Sequence, residues 1–217
     1  MTQLLRLSPR YEAIRRTVER FGQVTSSQVR RLHFTTGTQM GRKNRCQVSL
    51  QRLVELGFLD HAARPKGGWQ GGSGEYVFII PRRRRPRPDW HTLDIVELYV
   101  RLTEVTTLIF RPEYFAHQRY GGLLLKPDGY IQIGVKKYWL EMDESSWYPG
   151  KLNEKMKSYL SVFERWERDK DGKIPGVLWV CHDEPRKDEI QSVIHKTSEP
   201  DLFRVVLFED AVKFMVG

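Results

Sequence analysis

Residues 126–159 read KPDGYIQIGVKKYWLEMDESSWYPGKLNEKMKSY, and the fold of the chain is decided in them. Two runs of alternating character, YIQIG and KKYWLEM, predict a pair of strands, because successive side chains of a strand point to opposite faces. Glu141 and Asp143 therefore share one face, while Leu140 and Met142 share the other. Asp128 stands just before the first strand, and a helix carrying Lys151 and Lys155 follows the second. Two carboxylates side by side on a sheet, with a third nearby, are donors that suit a hard divalent cation such as magnesium.

Outward from this stretch, residues 92–105 predict a helix with Leu93, Val96, Val100 and Leu102 inward and with Glu97 and Glu104 on it. TTLIF is a short strand, and RPEYFAHQRY a brief helix before Gly121 and Gly122. After Pro149 a helix places Leu152, Met156, Tyr159, Leu160 and Phe163 on one side. GVLWVC has the continuous apolar character of a buried strand flanked by helices. PRKDEIQSVIHK then reads as a helix, RVVLF as a strand, and EDAVKFM as a terminal turn or helix. This is an α/β layout with helices around a mixed central sheet.

The amino-terminal part is different in kind. Residues 1–90 hold 18 Lys and Arg against 6 Asp and Glu, whereas residues 91–217 hold 18 against 21. A basic part joined to a mildly acidic one implies two units, the first suited to a polyanion. Ser8 caps a helix opening at Pro9, with Tyr11, Ile14, Val18 and Phe21 on one face and Gly22 as its stop. Thr25 and Gln28 have capping-box spacing for a short second helix with Val29 and Leu32 inward. A third helix runs over residues 41–56, with Cys46, Leu50, Leu53 and Val54 as its apolar stripe and Gly57 as its stop. Its opposite side displays Arg42, Lys43, Arg45, Ser49 and Arg52, with Asn44 and Gln47 nearby, and acidic residues are missing between Phe21 and Glu55. FLDHAA and EYVFII, joined by a glycine-rich basic loop, predict a β-hairpin.

Three helices and a hairpin look like a winged helix-turn-helix over residues 1–81. In that fold the third helix enters the major groove and the wing touches the backbone or minor groove. Arg42, Lys43, Asn44, Arg45 and Gln47 would meet bases, and Arg64, Lys66 and Trp69 would belong to the wing. PRRRRPRPDW makes residues 82–90 a proline-punctuated linker, whose Arg82, Arg83, Arg84 and Arg85 could track phosphates. The domain boundary is expected there, with residues 91–217 as the second domain.

In the second domain, Pro-Asp opening a hairpin, a Glu-x-Asp strand and a lysine-bearing helix resemble the PD-(D/E)XK, or restriction-endonuclease-like, fold. Together with the winged helix, WLEMDESS ahead of KLNEKMKSY resembles the replication-relaxation family of plasmid and phage proteins. The resemblance implies metal-assisted phosphodiester cleavage, with magnesium or manganese between Asp128 and Glu141 and with Asp143 as a further ligand or a group behind the ligands. It also requires a lysine one residue after Glu141. Asp143 is the next residue on that face, so a lysine from the following helix must substitute, and Lys155, one turn from Tyr159, is the choice. Glu97 matches the acidic residue that many such proteins carry on the first helix, with Glu104 behind it.

A plainer reading stands beside this one. Pro-Asp-Gly is an ordinary turn signature, and the carboxylates and lysines could be solvated faces. The functions left open are a DNA-binding protein of a mobile element that also nicks or cleaves DNA, and a non-catalytic replication or transcription regulator whose second domain dimerises or docks a protein. RNA binding is a third. Double-stranded DNA is the expected partner, with a homodimer and a replication or transcription protein as further candidates. No apolar run approaches the ~18 residues of a membrane span. The start of the chain shows no secretory signal, and Cys46 and Cys181 form no disulfide or zinc pattern, so a reducing cytoplasm is the expected setting. Walker-type and Gly-x-Ser-x-Gly signatures are missing.

Overall fold

Ser8 caps the first helix as its position predicts, its hydroxyl accepting the Tyr11 N–H ahead of α1 (Pro9–Phe21). The computed structural model describes residues 7–62, 75–120, 123–144, 149–166 and 174–217, which form two compact units, Met1–Val100 and Arg101–Gly217. In the first unit α1 buries Ile14, Val18 and Phe21 and stops at Gly22, whose φ of +81° suits a residue without Cβ. Strand β1 (Gln23–Thr25) leads into α2 (Ser26–His33) through a complete capping box, Gln28 N–H to Thr25 Oγ1 at 3.2 Å and Thr25 N–H to Gln28 Oε1 at 2.9 Å. Gln28 then donates its Nε2 to the Leu93 carbonyl, 3.0 Å away and buried.

Helix α3 (Gln39–Glu55) starts at a Thr38 cap and buries Cys46, Ser49, Leu50 and Leu53. Its end is closed by Gly57 N–H to Val54 O and Phe58 N–H to Leu53 O, both 2.9 Å, with Gly57 at φ +74°. Those two bonds satisfy carbonyls that the helix itself leaves open. Ser49, expected on the outer face, belongs instead to the buried one. The expected hairpin forms from β2 (Asp60–His61) and β3 (Val77–Ile79), and β1 adds to the far side of β3, giving the antiparallel order β1-β3-β2. Arg64, Lys66 and Trp69 lie outside the described residues.

The Arg/Pro stretch is tied to the first unit instead of standing clear of it. Gln23 donates to the Arg87 carbonyl at 3.1 Å and accepts from Asp89 N–H at 2.9 Å, while Arg85 forms a two-pronged pair with Asp60, both contacts 2.9 Å. Helix α4 (Trp90–Val105) follows, apolar on most sides, with Leu93, Ile95, Val96, Leu98 and Val100 buried. The division between the units falls inside this helix, after Val100, ten residues beyond the stretch where composition places the boundary.

The second unit is built on a five-stranded sheet of order β10-β9-β8-β7-β4. Strands β4 (Ile109–Pro112), β7 (Gly129–Ile133) and β8 (Lys136–Asp143) are antiparallel neighbours, and β8, β9 (Gly176–Cys181) and β10 (Phe203–Leu207) run parallel. Parallel neighbours need crossover elements, supplied by α5 (Pro149–Glu164) between β8 and β9 and by α6 (Glu184–Ile194) between β9 and β10. Helix α7 (Ala211–Val216) ends the chain. The brief helix expected over residues 111–120 is only one 3-10 turn, Glu113–Phe115; after it β5 (Gln118–Tyr120) pairs with β6 (Leu123–Leu125) in a small separate hairpin. Trp139 and Trp179 pack with Leu152, Met156 and Tyr159 of α5 and Ile190 and Ile194 of α6 in the main core.

Gln28 joins three parts of the first unit with one side chain. Gln28→Ala removes half of the capping box and the buried hydrogen bond to the Leu93 carbonyl, so it should lower stability by about 1–3 kcal/mol. Chemical denaturation measures this, and an unchanged midpoint would contradict the role given to Gln28.

Candidate functional site

Asp128 extends the β7–β8 ladder by one position. Its N–H donates to Leu140 O at 2.9 Å, its Oδ2 accepts the Met142 N–H at 2.8 Å, and its carbonyl accepts from Glu113 N–H at 2.7 Å. The carboxylate thus takes the place of the next strand carbonyl, which is how Pro-Asp-Gly closes the ladder. Glu113 holds a φ of +39°, uncommon for a residue with a side chain. Around His117, burial followed by the charges of Lys126 and Lys155 lowers the imidazole below its ordinary range, against the opposing pull of Glu113 and Asp128.

Glu141 sits on the helix-covered face of β8 with no solvent exposure. Its Oε1 accepts the Tyr159 hydroxyl, and Lys155 Nζ lies 3.0 Å from Oε2 while donating to the Lys126 carbonyl at 2.7 Å. The contact to Oε2 is an ion pair without a well-directed hydrogen bond. Burial raises the Glu141 carboxyl to about 8, and the nearby Asp128 charge adds to the rise, against the opposing pull of Lys155 and Tyr159. Burial, then the Glu141 charge, holds the Tyr159 phenol well above its usual value. The lysine chosen to stand in for the missing motif lysine is therefore beside the motif glutamate. Lys151, one turn earlier on the same helix, is exposed.

Asp143 shares the Glu141 face but turns to a different partner. Arg186 of α6 donates to both its oxygens at 2.8 Å, and both side chains are buried. Arg186 also pairs with Glu189 at 2.5 Å. The Asp143 hydrogen bonds, opposed in part by burial, raise the Arg186 guanidinium above its ordinary range. Sequence reading missed this arginine. The available signal was a buried carboxylate at the end of a central strand, which needs a cation from a neighbouring crossover helix.

These placements bear on the cation implied by the nuclease-like resemblance. Asp143 does not fit as a ligand, since Arg186 holds both its oxygens, and among the described residues no group of three or more His, Cys, Asp or Glu is arranged around a metal. The Asp128 charge adds to the rise of the Glu141 carboxyl, a repulsion that a divalent cation between them would relieve. Glu97 belongs to the first unit, where it pairs with Arg31 at 2.6 Å.

The expected DNA-facing residues lie on α3 and on the Arg/Pro stretch. Lys43, Asn44, Arg45 and Gln47 are exposed, whereas Arg42 is half-buried and its Nε is enclosed with no hydrogen-bond partner among the described residues. Arg45 reaches back to the Thr36 carbonyl at 2.5 Å, bracing the turn that leads into α3. Arg82, Arg83 and Arg84 are exposed, and Arg85 carries the pair with Asp60. Among the described residues, no helix is long and apolar enough to cross a membrane.

The Glu141 environment has a pH signature. Its folded-state pKa of about 8 stands above the ordinary 4.5, so the stability provided by the protonated carboxyl is complete below about pH 4.5 and is lost as pH rises through about 8. Glu141→Gln removes that proton, so its unfolding free energy should fall less than that of the wild type between about pH 5 and 8. Equal slopes for the two proteins would contradict the assignment.

A family model described as replication-relaxation matches residues 16–83 and 79–177, so its two parts cover the end of α1 with α2, α3 and the small sheet, and then α4, the strands β4 to β8 and α5. No curated protein matches the chain. With the matched segments spanning most of the sequence, the chain belongs to the replication-relaxation family.

Proposed function

We propose that this chain is a DNA-binding protein acting in the replication or DNA processing of a plasmid or phage, with its first unit a winged helix-turn-helix that lays α3 in the major groove. The observation that carries the reading is the outer face of α3, exposed at Lys43, Asn44, Gln47 and Val48 with no carboxylate on the helix before Glu55. The order of three helices and an antiparallel β1-β3-β2 sheet supports it, as do the 18 basic and 6 acidic residues of positions 1–90. Arg82, Arg83 and Arg84 add exposed cations just ahead of residues 87 and 89, which Gln23 holds, and such a cluster suits phosphates rather than base edges.

A second reading concerns the other unit, whose succession of three antiparallel strands, crossover helix and parallel strand is compatible with a restriction-endonuclease-like domain. Lys155 beside Glu141 favours a nicking or cleaving site there. A magnesium or manganese ion held by Asp128 and Glu141 would supply an activated water and offset charge on the phosphodiester. Lys155 would orient that water, and Tyr159 would hold Glu141 in place. Against this stands the complete burial of Glu141. A non-catalytic second unit, serving dimerisation or docking, is the alternative.

Duplex affinity measured against salt tests the first reading. The full chain should bind duplex DNA with a steep salt dependence. Replacing Arg82, Arg83 and Arg84 together by alanine should weaken binding evenly across sequences and reduce the slope by about one for each phosphate no longer neutralised. Unaltered affinity and slope would remove those arginines from the interface. For the second reading, incubation of plasmid DNA with manganese should give nicks that Asp128→Ala and Glu141→Gln abolish while duplex binding persists. Intact plasmid in the wild-type reaction would leave the non-catalytic alternative.

A further inference from the structure

An exposed stripe of residues other than arginine runs along α3. Met40, Asn44, Gln47, Val48 and Gln51 recur at spacings of three and four and make one outer stripe, opposite the buried Cys46, Leu50 and Leu53. Met40 and Val48 expose 66% and 65% of their surface, so neither serves the core. The arginines of this helix are placed otherwise. Arg45 bonds the Thr36 carbonyl at 2.5 Å, Arg52 pairs with Glu55 at 3.1 Å, and Arg42 lies half-buried on the inner side.

That distribution has a chemical meaning in a major groove. Guanine is read chiefly by Arg or Lys at O6 and N7, adenine by Asn or Gln at N6 and N7, and thymine by apolar contact with its methyl group. With Arg42 half-buried and Arg45 and Arg52 tied to neighbours, the outer stripe itself consists of amides and exposed apolar side chains, with Lys43 beside it. Resting on the reading of α3 as the DNA-contacting helix, we propose that this helix selects A·T pairs, with Asn44 and Gln47 on adenine edges and Val48 on a thymine methyl. Lys43 flanks the stripe, where it meets phosphate. The occupant is duplex DNA and not another apolar surface, because the stripe lies in a stretch that holds basic residues and no carboxylate from Phe21 to Val54.

The test begins with the full chain and a duplex library carrying a randomised core. Selection should enrich a core of A·T pairs. On the selected duplex, replacing the contacted adenine by 7-deazaadenine, which lacks the N7 acceptor, should cost the wild type about tenfold in affinity. Asn44→Ala should lose about tenfold on the natural duplex and then be indifferent to the base change at its own adenine, with Gln47→Ala behaving likewise at a different one. Replacing thymine by uracil, which lacks the methyl, should weaken the wild type and leave Val48→Ala unaffected. A G·C core, or discrimination that survives in all three variants but disappears in Arg45→Ala, would overturn the inference. Duplex binding with no enriched core would overturn it too while leaving DNA binding intact, whereas no duplex binding at all would remove both.

Discussion

The second unit depends on two carboxylates that its central strand carries into the core. Glu141 and Asp143 face the crossover helices from β8, and both are buried. An unpaired carboxylate there would cost several kcal/mol, so each crossover helix brings a cation. Lys155 of α5 lies against Glu141 and Arg186 of α6 grips Asp143. The two pairs differ in completeness. Arg186 meets Asp143 in a two-pronged arrangement with matched geometry, which suits a fixed structural bond. Glu141 has one phenol and one ammonium contact, and it retains its proton to about pH 8. Of the two, Glu141 is the carboxylate whose charge state a ligand could still change.

The same pairing logic decides what the first unit can present. Arg85 is held by Asp60, Arg45 by a turn carbonyl, and Arg52 by Glu55. A basic sequence therefore does not translate directly into a basic reading surface. Along the outer stripe of α3 stand amides and apolar side chains, while Arg45 and Arg52 are exposed but tied to neighbours and further exposed arginines lie on the Arg/Pro stretch. On the proposed DNA-binding reading, this arrangement would separate backbone attraction from base discrimination.

Rules that act locally are legible in the sequence. The Ser8 and Thr25 caps, the Gly57 helix stop and the alternation of Glu141 and Asp143 all recur in the structure, because each depends on neighbours within a few residues. The features that the sequence hides are long-range. Strand β1 has only three residues and becomes a strand by pairing with β3, some fifty positions away. Arg186 is recognisable as a partner only once β9 is known to lie parallel to β8. Residues 111–120 read as helical, yet Gln118–Tyr120 extends because Leu123–Leu125 offers it a ladder. For the candidate site, the choice of Lys155 follows from helix periodicity, whereas the diversion of Asp143 to Arg186 requires the sheet order.

The central claim is that duplex DNA lies on the outer face of α3. Met40 reports on it directly, being 66% exposed on that face, whereas Met142, Met156 and Met215 are buried. Oxidative footprinting of the full chain, with and without saturating duplex DNA, should show Met40 strongly protected from sulfoxide formation in the complex. Equal oxidation of Met40 in the free protein and in a sample verified as DNA-bound would place the DNA elsewhere and contradict the account.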